Sequence, residues 1–244
     1  MSKPTPICRP LARSAPGPAR RLCAPLLAAL VWTSVPAQPG WSLDWLVLVV
    51  DRSTSIDERE LALQREAYAQ LLSDPGVIEA LASTRVAIVE FDTSPEIMVE
   101  WTDARSAAHA YRRRRPDRLR GLTGIGSALA TALALLVGKP GRLVIDVSGD
   151  GPDNVDPPLL AAARAAASTQ AIEINGLAIV TEEAPEIDRY YQARVVNGFV
   201  LRVDRRADFL GALKRKLFYE VAQTRPGAAG RVAAAPSAPE RASR

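Results

Sequence analysis

Apolar positions in this chain come in short unbroken runs separated by longer stretches in which they recur every three or four residues. Trp45 to Asp51, Thr84 to Phe91, Glu96 to Trp101, Arg142 to Ser148, Ile172 to Val180 and Gly198 to Val203 form the short runs. Their length and β-branched content predict strands, and an uninterrupted run such as Leu46-Val-Leu-Val-Val50 predicts a strand buried on both faces. Between them, helices are expected over Asp57–Leu72, Asp103–Arg115, Ile125–Val137, Pro157–Thr169, a short one over Pro185–Gln192, and a closing one over Arg206–Ala222. The closing helix places Phe209, Leu213, Leu217 and Val221 on one face. Ser55 and Glu58 read as a capping box at the start of the first helix.

Strand–helix alternation of this kind predicts an α/β, doubly wound (Rossmann-like), mostly parallel six-stranded sheet with helices on both faces. Asp92 to Pro95 is too short a link to carry a crossover helix, so the second and third strands form an antiparallel hairpin. Right-handed crossovers then give the order 3-2-1-4-5-6, with strand 3 antiparallel and strands 1 and 4 adjacent. Ligands of such sheets bind beyond the carboxyl ends of the strands where the winding reverses. Those ends carry Asp51 and Asp150.

The polar residues at these ends have a consistent chemistry. Asp51, Ser53 and Ser55 follow the first strand at spacings of two, Thr123 lies in Gly121-Leu-Thr-Gly-Ile-Gly126, and Asp150 ends the fourth strand between two glycines. Hard oxygen donors suit Mg2+ or Mn2+ better than zinc or copper. The duller readings are that Ser53 and Ser55 cap the next helix, that Thr123 is a loop hydroxyl and that Asp150 is a turn residue.

Taken together, Asp51-x-Ser-x-Ser55, Gly121 to Leu129 and Val144-Ile-Asp-Val-Ser-Gly-Asp-Gly151 resemble the three loops of the metal-ion-dependent adhesion site of von Willebrand factor type A domains. The resemblance covers residues 43–222. It implies metal ligation by Asp51, Ser53, Ser55, Thr123 and Asp150, with Mg2+ (or Mn2+) as cofactor. It further implies a protein partner that completes the ion's coordination with a carboxylate. Ser55-Ile-Asp-Glu58 and Gln64-Arg-Glu66 are similar to a bacterial family of secreted von Willebrand A-like proteins with no assigned function. Arg52 departs from the commoner pattern at its position. It is expected to fold back onto Asp153 or Asp156, the alternative being that it steers an acidic partner. Asp153 and Asn154 are expected to shape the rim.

The first 37 residues change how charge is read. Arg20 and Arg21, the apolar run Leu22–Trp32 and Val35-Pro-Ala37 predict a signal peptide, with residues 224–244 a disordered Pro/Ala-rich tail. The apolar run is shorter than the roughly 20 residues needed to span a bilayer. Export to the periplasm or beyond is expected, with no membrane insertion after cleavage. The leader holds Lys3, Arg9, Arg13, Arg20 and Arg21 and no acids. Without these five, 26 Lys and Arg face 27 Asp and Glu, a net charge near −1. The overall charge of +4 thus belongs to the leader and does not argue for nucleic acid. Arg112 to Arg115 read as a solvated helix end. Cys8 and Cys23, the only cysteines, both lie in the leader, so no disulfide is expected in the exported chain.

Two rival functions follow from the same residues. Haloacid-dehalogenase-type phosphatases also end a strand in a nucleophilic Asp, and Gly149-Asp-Gly-Pro-Asp-Asn154 resembles their late loop. Ser53, however, stands where their general acid belongs. A metal-free interaction scaffold is the other rival. His109, the single histidine, lies in an Ala- and Arg-rich helix and reads as a surface residue, not a catalytic base.

Overall fold

The computed structural model describes residues 43–114 and 121–222. The leader with Cys8 and Cys23, the signal peptide, Arg115 and the tail lie outside the described residues. Six strands form one sheet: β1 (Leu43–Asp51), β2 (Arg85–Phe91), β3 (Pro95–Thr102), β4 (Arg142–Gly149), β5 (Glu173–Ile179) and β6 (Val200–Val203), in the order β3-β2-β1-β4-β5-β6. All pairs are parallel except β2 with β3. Order and directions are those expected from a three-residue link between β2 and β3, too short for a crossover helix, together with right-handed crossovers elsewhere.

The strand β1 shows why the apolar run is uninterrupted. Leu46, Leu48 and Val50 enter one core, with α1 (Glu58–Ser73), α3 (Ala104–Arg113) and α7 (Phe209–Ala222). Val47 and Val49 enter the opposite core, with α4 (Ile125–Leu136), α5 (Pro157–Thr169) and the segment around Tyr191. Both faces of the strand are covered, so polar alternation would place a side chain without water on either side. Phe209, Leu213 and Leu217 are buried on α7, with Val221 partly so.

Local details differ from expectation in three places. The first helix is capped by Asp57, which accepts Glu60 N–H at 2.7 Å while Glu60 accepts Asp57 N–H at 3.0 Å. Ser55 does not cap it, because its hydroxyl is committed to Asp150 and Ser53. A short helix α2 (Pro75–Ala80), opened by Asp74 and Pro75, stands where none was expected. The segment predicted as one helix over Pro185–Gln192 is a single turn α6 (Ile187–Tyr190) followed by a π-turn, Tyr191–Val195. Among the described residues no helix is long and apolar enough to cross a membrane.

Candidate metal centre

Asp51 ends β1 and is fully buried. One carboxylate oxygen, Oδ1, accepts Ser53 N–H at 2.7 Å, which folds the chain back sharply after the strand. Gln64, from the second turn of α1, donates to the Asp51 carbonyl at 2.6 Å and ties that helix to the strand end. The other carboxylate oxygen, Oδ2, is buried and has no hydrogen-bond partner. A buried anionic oxygen left this way is costly unless a cation or donor meets it.

The neighbouring groups converge on the same place. Ser53 Oγ lies 3.0 Å from Ser55 Oγ, and Ser55 donates to Asp150 Oδ1 at 2.7 Å. Asp150 is buried at the end of β4, beside β1, so adjacent parallel strands deliver the two carboxylates side by side. Burial first, and then the charge of Asp150, push the Asp51 carboxyl up to about 7. Thr123 is buried and its backbone is held from both sides: its N–H donates to Asn154 Oδ1 at 2.8 Å and its carbonyl accepts Asn154 N–H at 3.0 Å. Gly151 places the Asp150 turn beside Thr123: a Cβ there would be in van der Waals contact with Thr123 Oγ1, at 3.5 Å. The first two loops are joined directly by Thr54 N–H donating to the Gly121 carbonyl at 3.0 Å.

Arg52 corrects one expectation. It does not reach Asp153 or Asp156, which are already engaged: Asp153 accepts the N–H groups of Gly126, Val155 and Asp156, and Asp156 caps α5 through Leu159 N–H. Arg52 instead turns to the β2–β3 hairpin and lies fully buried, 3.2 Å from Asp92 Oδ2 and 3.3 Å from Glu96 Oε2. Asp92 also presents its carbonyl to Gly124 N–H at 2.9 Å, next to Thr123, and its Oδ1 to Ser94 N–H. The hairpin therefore braces the Asp51 loop and the Thr123 loop together. Of the arginine run, Arg112 pairs with Glu66 across a largely exposed surface and Arg114 lies 3.7 Å from Glu96. His109 is exposed.

Three contributors were not visible as functional in the sequence: Gln64 as a tie on Asp51, Asp92 as the anchor of Arg52, and Tyr191. The Tyr191 hydroxyl is buried without a partner, and burial followed by the charges of Asp51 and Asp150 holds its pKa well above 10. Gly149 offers the one retrospective signal, since a Cβ there would run into the Tyr191 hydroxyl and come within 2.7 Å of Asp51 Oδ2. As donors, the assembled groups are two carboxylates and three hydroxyls, without nitrogen or sulfur. Such a set fits a small hard dication that keeps part of its hydration.

Solved structures share this architecture at low identity. A von Willebrand factor type A protein from Catenulispora acidiphila aligns at 19% identity and a TM-score of 0.53, over 75% of this chain and 43% of that one. The proximal thread matrix protein 1 of the mussel byssus, in a structure described as having a zinc-occupied MIDAS motif, aligns at 14% and 0.57, over 74% and 46%. BatB from Bacteroides thetaiotaomicron aligns at 17% and 0.54, over 74% and 99%. This chain thus spans less than half the length of the Catenulispora and mussel chains. No curated protein matches it. The family described as "Protein of unknown function (DUF1194)" matches residues 44–225, and the chain belongs to that von Willebrand A-like family.

Proposed function

We propose that this chain is an exported, cation-dependent binding protein in which Asp51, Ser53, Ser55, Thr123 and Asp150 hold Mg2+ or Mn2+ and a protein partner supplies a further carboxylate ligand. The observation that carries the reading is the buried, partnerless Asp51 Oδ2 beside a second carboxylate, with the linked hydroxyls of Ser53 and Ser55 bonded to that second carboxylate. A bound dication would offset the mutual repulsion of Asp51 and Asp150 and present an open coordination position to an incoming acid. The three hydroxyl ligands are neutral, so they leave part of the ion's charge uncompensated for that acid. The zinc named for the mussel protein belongs to that protein; here an all-oxygen donor set favours the harder ions. Phosphatase chemistry is disfavoured because Ser53, two residues after Asp51, offers no acid to protonate a leaving oxygen.

Mn2+ titration followed by electron paramagnetic resonance tests the ion, with one site expected per chain and none in Thr123→Ala or Asp150→Ala. Water-proton relaxivity of the Mn2+-loaded protein tests the open position. Adding a glutamate-containing peptide should lower it by displacing a coordinated water, and an unchanged relaxivity at saturating peptide would count against carboxylate capture.

A further inference from the structure

We infer that Tyr191 is a positioning residue of this centre: its hydroxyl reaches Asp51 Oδ2 through one buried water and holds that carboxylate in its ion-binding orientation. The inference rests on the metal reading above. Asp51 Oδ2 and Tyr191 Oη are both buried without a hydrogen-bond partner, and both border the same point, the missing Cβ of Gly149. Buried tyrosine hydroxyls ordinarily find a partner, and a carboxylate ligand is ordinarily oriented by a hydrogen bond from behind.

The surrounding backbone is shaped around this ring. Gly149 on β4 clears the hydroxyl, and Gly176 on β5 clears the ring, since a Cβ there would come within 3.1 Å of Tyr191 Cδ1 and 2.9 Å of Val196 Cγ1. The π-turn Tyr191–Val195 begins at this residue, and single π-turns are found disproportionately at functional sites. The preceding Tyr190 receives Asp153 N–H at 3.1 Å on its hydroxyl. Consecutive tyrosines, their rings edge to face at 6.4 Å, thus flank the residues after β4, Tyr190 at Asp153 and Tyr191 at Gly149.

Tyr191→Phe keeps the ring and removes only the hydroxyl, so it separates positioning from packing. In EDTA the variant should keep the wild-type circular dichroism. Its Mn2+ dissociation constant should rise about tenfold or more, the usual cost of losing an outer partner of a metal ligand. Mn2+ should also perturb the near-ultraviolet tyrosine band of the wild-type chain, and this difference signal should vanish in Tyr191→Phe. Wild-type Mn2+ affinity in Tyr191→Phe, or no tyrosine difference signal in a wild-type chain that does bind Mn2+, overturns the role of Tyr191 alone. A wild-type chain that binds no Mn2+, or an Asp51→Ala variant that binds it normally, overturns the metal reading itself.

Discussion

Replacing Asp51 by Asn should make the metal-free protein more stable while abolishing its response to metal. Asn keeps the shape and the acceptor for Ser53 N–H, but carries no charge into a site that is fully buried and faces Asp150. Burial and Asp150 raise the Asp51 pKa from 3.8 to about 7. At 1.36 kcal/mol per pKa unit, that corresponds to about 4 kcal/mol once the group is ionised. Because the folded-state value is the higher one, the wild type holds this stability fully below pH 3.8 and loses it as pH rises through 7. In EDTA, then, wild type should weaken between about pH 4 and pH 8, and Asp51→Asn should weaken less steeply over that window. At pH 8 the variant should exceed wild type by up to about 4 kcal/mol, a large share of a typical 5–15 kcal/mol. Metal should close most of this gap: Mg2+ at 100 times its dissociation constant adds about 2.7 kcal/mol to wild type and nothing to the variant. Urea unfolding followed by the fluorescence of Trp45 and Trp101, packed edge to face at 5.0 Å, reports both. An Asp51→Asn protein less stable than wild type at pH 8 in EDTA would falsify the electrostatic account of the site.

Four further outcomes follow from buried charge and close packing. Arg52→Met removes the buried counter-ion of Asp92 and one of the two arginines beside Glu96, side chains only 5% and 11% exposed, and should cost about 3–5 kcal/mol in urea unfolding; adding Asp92→Asn should recover part of it. Lys216 of α7 lies fully buried between Glu220 of the same helix and Asp146 of β4, so Lys216→Met should cost a similar ~3–5 kcal/mol. Burial raises the Glu220 pKa from 4.5 to about 7, so its contribution is intact below pH 4.5 and lost as pH rises through 7; Glu220→Gln should flatten that loss in a pH series of thermal melts. Gly149→Ala drives a Cβ against Tyr191 and Asp51 and should cost about 1–3 kcal/mol by overpacking, together with Mn2+ binding measured by titration.

How legible the protein was depends on the range of the interaction. Strand runs, their order and the ends that carry Asp51 and Asp150 follow from periodicity, link length and crossover handedness, which are local or topological and leave their mark along the chain. The helix Pro157–Thr169 was read to the residue because Asp156 and two prolines mark its start. The capping residue of the first helix was misread because Ser55 and Asp57 are equally good caps, and only the presence of Asp150 across the sheet decides which hydroxyl is free. Arg52 was sent to the wrong carboxylates for the same reason. Several acids lie within sequence reach, and which of them are already engaged by backbone N–H groups depends on loops that meet only after folding.

The amino-acid sequence alone determined the doubly wound sheet, the position of its switch point and the oxygen-rich character of the residues gathered there, because each is encoded in spacing along one strand or one loop. Only the tertiary structure decided which oxygen of Asp51 is left without a partner, that the β2–β3 hairpin braces two of the loops through Arg52 and Asp92, and that Tyr191 comes up behind Asp51. Those relations join residues between 32 and 140 positions apart. A side chain's partner at that range is selected by packing and competition among donors, and neither leaves a periodic trace in the chain.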